Sequence, residues 1–210
     1  MIHRFVSGRS NAVYDIITGD ESWIYCYEPE SKRQSAQWIF QNEEKPTKLR
    51  RSRSVCKKMV ASFFRITGHI ITVPIEDRRS VNAEWYSTIC LPRVLDRMRE
   101  LRPKSRLIVH HDNASSHSAH QTVRFLTNSG AEILGHPPYS PDLAPCDFFL
   151  FPTVKNKMRG LHFSSAEAAV EAYEQLVLEV PLEAWKLCFE NWFRRMEKCI
   201  KYKGEYFEKQ

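Results

Sequence analysis

The chain has 210 residues, 42% of them hydrophobic and 27% charged, with 12 Phe, 8 Tyr and 5 Trp. That balance excludes a low-complexity or unfolded chain, and the lack of any run of eighteen apolar residues argues against a membrane-spanning helix or a membrane partner. A net charge of +6 favours an anionic partner, although a solvated basic surface explains so small a surplus equally well.

Residues 12–27, AVYDIITGDESWIYCY, predict a strand with Asp20 near its middle and Gly19 marking a turn or bulge. Residues 28–58 form a polar and charged excursion in which Trp38, Ile39 and Phe40 are an isolated apolar island. Its basic end supplies Arg50, Arg51, Arg53, Lys57 and Lys58 as candidate phosphate contacts, with a solvated loop or a nuclear-import patch as the plainer reading. Residues 59–66 and 69–75 read as antiparallel strands joined by Thr67-Gly68. Residues 82–101 show helical spacing, and Pro92 predicts a kink or two short helices.

Residues 106–111, RLIVHH, form a short apolar strand that ends at Asp112. A helix over 118–129, closed by Gly130, leads to a strand at 131–134, so these two strands pair in parallel. The proline-rich HPPYSPDLAP precedes Asp147, which lies where a helix would begin; Pro152, five residues on, would strain such a helix, and the alternative is a start near Pro152 with Asp147 on the preceding turn. Ser164 and Glu167 read as a capping box, and Trp185, Phe189, Trp192, Phe193, Met196 and Ile200 as one apolar stripe. Six cysteines without Cys-x-x-Cys spacing read as reduced, mostly buried thiols of an intracellular protein. The sum is an α/β fold of ribonuclease H-like type, a mixed sheet with an antiparallel half and a parallel half, flanked by helices. It forms one domain over 1–210, with a core at about 13–160, an insertion at 28–58 and C-terminal helices at 164–204.

Three acids stand out by position. Asp112 ends a buried strand, where ligand sites of open α/β sheets lie, and an ionised carboxylate there is costly without compensation. Asp20 lies inside a strand, which disfavours Asp. Each also has a structural explanation: Asp112-Asn113 as turn formers, Asp20 as a cap on a turn at Gly19, Asp147 as a helix N-cap. Together they would supply the hard oxygen ligands that Mg²⁺ requires. His117 is a candidate ligand or proton shuttle, and Asn113 suits either a phosphate contact or a turn. His110 and His111 read as opposite faces of a strand with one ring buried.

The blocks TGDESWIY (18–25), HHDNASSH (110–117) and HPPYSPDLAPCDFFLF (136–151) resemble the signature blocks of mariner-family transposases, and 34 residues separate Asp112 from Asp147, as in the family's DD34D pattern. The resemblance runs from about residue 13 to the ending GEYFEKQ. It implies a ribonuclease H-like fold, Mg²⁺ or Mn²⁺ as cofactor (two ions), and cutting and joining of transposon DNA ends. Carried over by position, Asp20, Asp112 and Asp147 take the metal-ligand places, while Asp142 matches a loop residue. Some domesticated relatives carry Asn at the third acid, where this chain has Asp147. Residues 28–58 align with a clamp loop that reaches the partner subunit, so a homodimer on double-stranded DNA is expected, in the nucleus. The family's N-terminal helix-turn-helix region has no counterpart here, so the chain reads as a fragment that lacks sequence-specific end recognition. Two rival readings are a catalytically idle DNA-binding or dimerisation module and a ribonuclease H-type nuclease acting on RNA–DNA hybrids.

Overall fold

Residues 3–5, 7–44, 47, 52–76 and 80–205 are described by a computed structural model, so Arg50 and Arg51 lie outside the described residues. A 3-10 turn at Asn11–Asp15, capped by Ser10, leads into strand β1, Ile16–Tyr25. Strands β2, Lys57–Arg65, and β3, Gly68–Pro74, complete an antiparallel meander with β1. Gly19 is neither turn nor bulge. It lies in regular pairing opposite Phe63, and a Cβ there would overlap the Phe63 ring, so the glycine serves close packing across the ladder.

The helical stretch 82–101 is continuous rather than broken. Asn82 caps α1, Ala83–Trp85, which passes through a π-helical turn, Tyr86–Cys90, into α2, Leu91–Leu101. Leu91 N–H reaches back five residues to the Tyr86 carbonyl. That wider turn moves the carbonyls ahead of Pro92 away from its ring, which a regular α-helix would not tolerate. Strand β4, Leu107–His110, follows, then short helices α3, Ser115–Ser118, and α4, His120–Asn128. Gly130 takes φ +70° beyond α4, as its C-terminal role requires, and β5 spans Ala131–Leu134.

The strand order is β3-β2-β1-β4-β5, antiparallel on the β3 side of β1 and parallel on the β5 side. The expected mixed sheet is therefore observed, with the parallel and antiparallel halves meeting at β1. Helices cover both faces. Ile17, Ala61, Phe63 and Val109 pack with Trp85, Leu91, Val94, Leu95 and Leu126 on one face. Ile16, Ile24, Val60, Phe64 and Ile108 pack on the other face, against α5, Phe151–Met158, α6, Ala166–Leu178, and α7, Leu182–Lys201.

Ser165, not Ser164, caps α6 by accepting from Ala168 N–H, because the helix starts one residue later than the box pattern implied. The α7 stripe is buried from Trp185 to Met196, but Ile200 is 65% exposed because the helix outruns the core in its last turn. Trp38 and Phe40 stand fully or largely in solvent, so the island at 38–40 packs no hydrophobic core of its own.

Candidate active site

The register of β1 against β4 aligns the first two acids. Thr18 pairs with His110, and each strand reaches its acid two residues later, Asp20 in β1 and Asp112 just past β4. The alternation of β1 then sorts its side chains. Ile16 and Ile24, at even positions, face the α5–α7 layer, so Asp20 shares that face. Asp147 comes to the same side in a second π-helical turn, Cys146–Leu150, where Phe151 N–H bonds back to the Cys146 carbonyl. As at Pro92, the wide turn accommodates the proline that follows, Pro152, so the helical run begins just before Asp147 and continues unbroken into α5 rather than starting near Pro152. Asp112 and Asp147 line one open cleft of about 420 Å³ with Asn113, His136, Tyr139 and Ala144.

The three acids feel one another. Burial raises Asp20 well above the usual carboxylate range, and the charges of Glu21, Asp147 and Asp112 add to the effect. Asp147 is raised by burial and then by Asp112. Asp112 goes the other way, down to about 2, chiefly because His117 donates to it. Burial and like charge outweigh local compensation at Asp20 and at Asp147, where Lys155 offsets them only in part, and the three carboxylates offer the hard oxygens that suit Mg²⁺ or Mn²⁺. Among the described residues, no three His, Cys, Asp or Glu side chains stand close enough to share an ion. Asp20 Oδ1 accepts the Glu21 N–H at 2.7 Å, and Asp112 Oδ1 is taken by Ala114 N–H and by His117.

Glu21, which the sequence reading passed over, holds the other end of that histidine. Being one residue from Asp20, it faces the α1–α2 layer, and its carboxylate meets His117 Nε2 at 3.2 Å while His117 Nδ1 lies 2.6 Å from Asp112. His117 is fully buried, with its ring 4.3 Å from that of Tyr86 and stacked on His111. Burial opposes its charge, but the two carboxylates outweigh this and carry it up to about 10, so it is an imidazolium at neutral pH. His111 is instead held neutral by burial, down to about 3, and its Nδ1 meets Tyr86 OH at 3.0 Å. Both His110 and His111 are buried, not one: His110 bonds Thr18 and His136, and His111 lies just beyond the strand.

Replacing His117 with Ala removes the cation between Glu21 and Asp112 and leaves Asp112 only its bond from Ala114 N–H. The expected loss is roughly 2 kcal/mol, below the usual cost of breaking a buried pair because Asp112 is 42% exposed. The His117 contribution is complete below its ordinary 6.5 and disappears as pH rises through about 10. That of Asp112 is complete above its ordinary 3.8 and disappears as pH falls through about 2. Urea titrations should therefore find the gap between wild type and His117→Ala widest from about pH 4 to 6.5. An equal gap at pH 10 would contradict the imidazolium.

The basic candidates separate by face. Lys57 lies 4.0 Å above the Trp23 ring, and Arg53 pairs with Glu28 and covers Tyr25. Lys58 points to the opposite layer and bonds Glu167. Asn113 donates to the His136 carbonyl, which fixes the loop after β4. Lys155, also passed over in the sequence, donates to Ser22 Oγ at 2.7 Å; burial lowers it while Glu28 and Asp147 support its charge. Its signal was the helical distance from Asp147, two turns along α5 on the Asp20 side. Asp142 is buried, and its carbonyl accepts from Arg195, a loop role in keeping with its place in YSPDLAP.

The chain matches no family model. It is 30% identical over 202 residues to the human histone-lysine N-methyltransferase SETMAR, covering 92% of this chain and 28% of that protein. It is 29% identical over 204 residues to the Mos1 mariner transposase of Drosophila mauritiana, covering 95% of this chain and 58% of that one. The chain thus spans little more than half, or less, of the length of these two relatives. Among solved structures it resembles the Mos1 mariner paired-end complex with Mn, with TM-score 0.86 and 28% identity over 99% of this chain and 60% of that one. It also resembles the Mos1 catalytic domain, with TM-score 0.78 and 26% identity over 99% of this chain and 90% of that one.

Proposed function

This chain is a homologue of the mariner transposase catalytic domain, and from that premise we propose that it is a divalent-metal-dependent enzyme that cuts and joins phosphodiester bonds at transposon DNA ends. What supports the reading most is the placement of Asp20 just past the β1–β4 pairing and of Asp112 just past β4, with Asp112 and Asp147 on one open cleft and the charge of each acid acting on the others.

Asp20, Asp112 and Asp147 would hold the metal, Mg²⁺ or Mn²⁺ as in the relative's structures, and two ions if both the attacking and the leaving oxygen are to be served. When bound, such ions supply Lewis-acid stabilisation of those oxygens. The chain's own residues do the rest. Glu21 and His117 fix the Asp112 carboxylate through a chain of two hydrogen bonds, and Lys155 sets a positive charge on the Asp147 side of the cleft. Tyr139, fully exposed at the cleft, and the cations Arg53 and Lys57 offer contacts to a strand of DNA entering it. The relative has been crystallised as a paired-end complex with its left transposon end, and we extend that to a DNA-bound homodimer here, with Trp38 and Phe40 as exposed anchors. The nucleus is the compartment where that substrate lies.

The rival reading is a catalytically idle DNA-binding or dimerisation module. It draws on the relative named for methyl transfer, of which this chain spans 28%. Pre-cut transposon-end duplexes with Mn²⁺ and a supercoiled target separate the two. Joined products from wild type and none from Asp112→Ala support the enzyme. DNA binding without joined or nicked products supports the idle module.

A further inference from the structure

Cys26 is the first residue past β1, and Cys56 the last before β2. The ladder that ends at Tyr25 and Lys57 continues one step further, since Cys26 N–H donates to the Cys56 carbonyl at 3.0 Å. The two thiol sulfurs lie 2.6 Å apart. The remaining four cysteines, at 90, 146, 188 and 199, show no such pairing among the described residues. Beyond the pair, the root of the excursion stays zipped: Tyr27 and Ser54 exchange two hydrogen bonds, and Glu28 meets Arg53 at 2.7 Å. The cysteine doublet thus sits where the excursion leaves the β1–β2 ladder, and Tyr27, stacked on His162, and Glu28, whose carbonyl accepts from Gly160 N–H, tie its first residues to the segment after α5 as well.

We propose that Cys26 and Cys56 are a reversible disulfide site that locks the root of the 27–55 excursion. The two residues differ in access, which sets the order of events. Cys56 is exposed and Cys26 is buried. A small-molecule disulfide such as oxidised glutathione is attacked by the Cys56 thiolate, which forms a mixed disulfide and releases one glutathione thiol. Cys26 then gives up its proton and attacks Cys56 Sγ, breaking the mixed disulfide and releasing the second glutathione. Two protein thiols are oxidised to one disulfide, and one glutathione disulfide is reduced to two thiols. Burial and the neighbouring thiol hold Cys26 up to about 11, so the second step quickens as pH rises above neutrality.

The lock changes what can move. With the bridge closed, the strand ends at 26 and 56 cannot part, so the excursion carrying Trp38, Phe40 and the basic run keeps a fixed root. With the thiols reduced, the root is held by non-covalent contacts alone: the hydrogen bonds, the Glu28–Arg53 pair, Arg53 over Tyr25 and Tyr27 stacked on His162. Neither cysteine lies among the acids of the cleft, so this site stands or falls independently of the metal chemistry.

The test equilibrates the whole chain with oxidised glutathione, then alkylates the remaining thiols and maps them by mass. Wild type is expected to lose two hydrogens in mass and to lose alkylation at Cys26 and Cys56 together. Trypsin cuts within 32–53 should leave two pieces joined until a reductant separates them. Cys26→Ser should stop at a stable glutathione adduct on Cys56, and Cys56→Ser should leave Cys26 unmodified. Full alkylation of both residues in oxidised wild type would overturn the proposal. So would a glutathione adduct that persists on wild-type Cys56, or a bridge from either residue to another cysteine.

Discussion

Asp20→Asn is expected to raise the melting temperature of the metal-free protein while it removes DNA cleavage. Burial and the like charges of Glu21, Asp147 and Asp112 lift the Asp20 carboxyl above its unfolded value of 3.8. The stability linked to its neutral form is complete below 3.8 and is lost as pH rises through the folded value, so the wild type bears a growing penalty as pH rises above 3.8. Asn keeps the shape without the charge. The gain should be about 1 kcal/mol, or roughly 3 °C for a chain of this size. Calorimetric melting in a chelator should show the gain at pH 7 and none at pH 3, where both side chains are neutral. Cleavage should fall by more than about 100-fold, since loss of a ligand exceeds loss of an outer partner. A lower melting temperature at pH 7 would mean that Asp20 is stabilising as a carboxylate in the metal-free protein, against the burial penalty.

Gly19→Ala carries the largest expected cost to stability. The new methyl group would occupy the space of the Phe63 ring, and the preceding residue, Thr18, is paired both with Phe64 and with His110, so the backbone has little freedom to move away. Overpacking of this kind costs about 3 kcal/mol, which lowers the melting temperature by roughly 6–12 °C. The neighbouring Asp20 would be displaced with it, so activity should fall as well. Phe63→Leu alone opens a cavity on the face that the new methyl group would enter and should cost about 1–2 kcal/mol. In the double variant the smaller side chain makes room for the methyl group, so urea titrations should show it more stable than Gly19→Ala alone. Strict additivity would show that the Phe63 ring is not what makes residue 19 a glycine.

These two neighbours show where sequence reasoning reached and where it stopped. Asp20, Asp112 and Asp147 were legible because local pattern placed them: a strand interior, a strand end, and the turn before Pro152. The mixed sheet was legible for the same reason, since strand spacing and the tight Thr67-Gly68 turn determine pairing locally. Gly19 was misread because its cause is Phe63, forty-four residues away in the chain and opposite it in space. Glu21 and Lys155 were missed because their meaning depends on which layer each face of β1 meets. Alternation from Asp20 gives the faces, but only the fold shows that His117 fills one and α5 the other. The π-helical turns were invisible to periodicity, although Pro92 and Pro152 marked both places where a regular helix has to yield.

The central claim is that Asp20, Asp112 and Asp147 hold one metal centre. Titration calorimetry of Mn²⁺ into the chain, beside Asp20→Asn, Asp112→Asn and Asp147→Asn, tests it without DNA. Saturable binding by wild type that each of the three substitutions weakens by at least about tenfold, with melting still cooperative, is the predicted result. Equal binding by all four proteins, or none by the wild type, would contradict it.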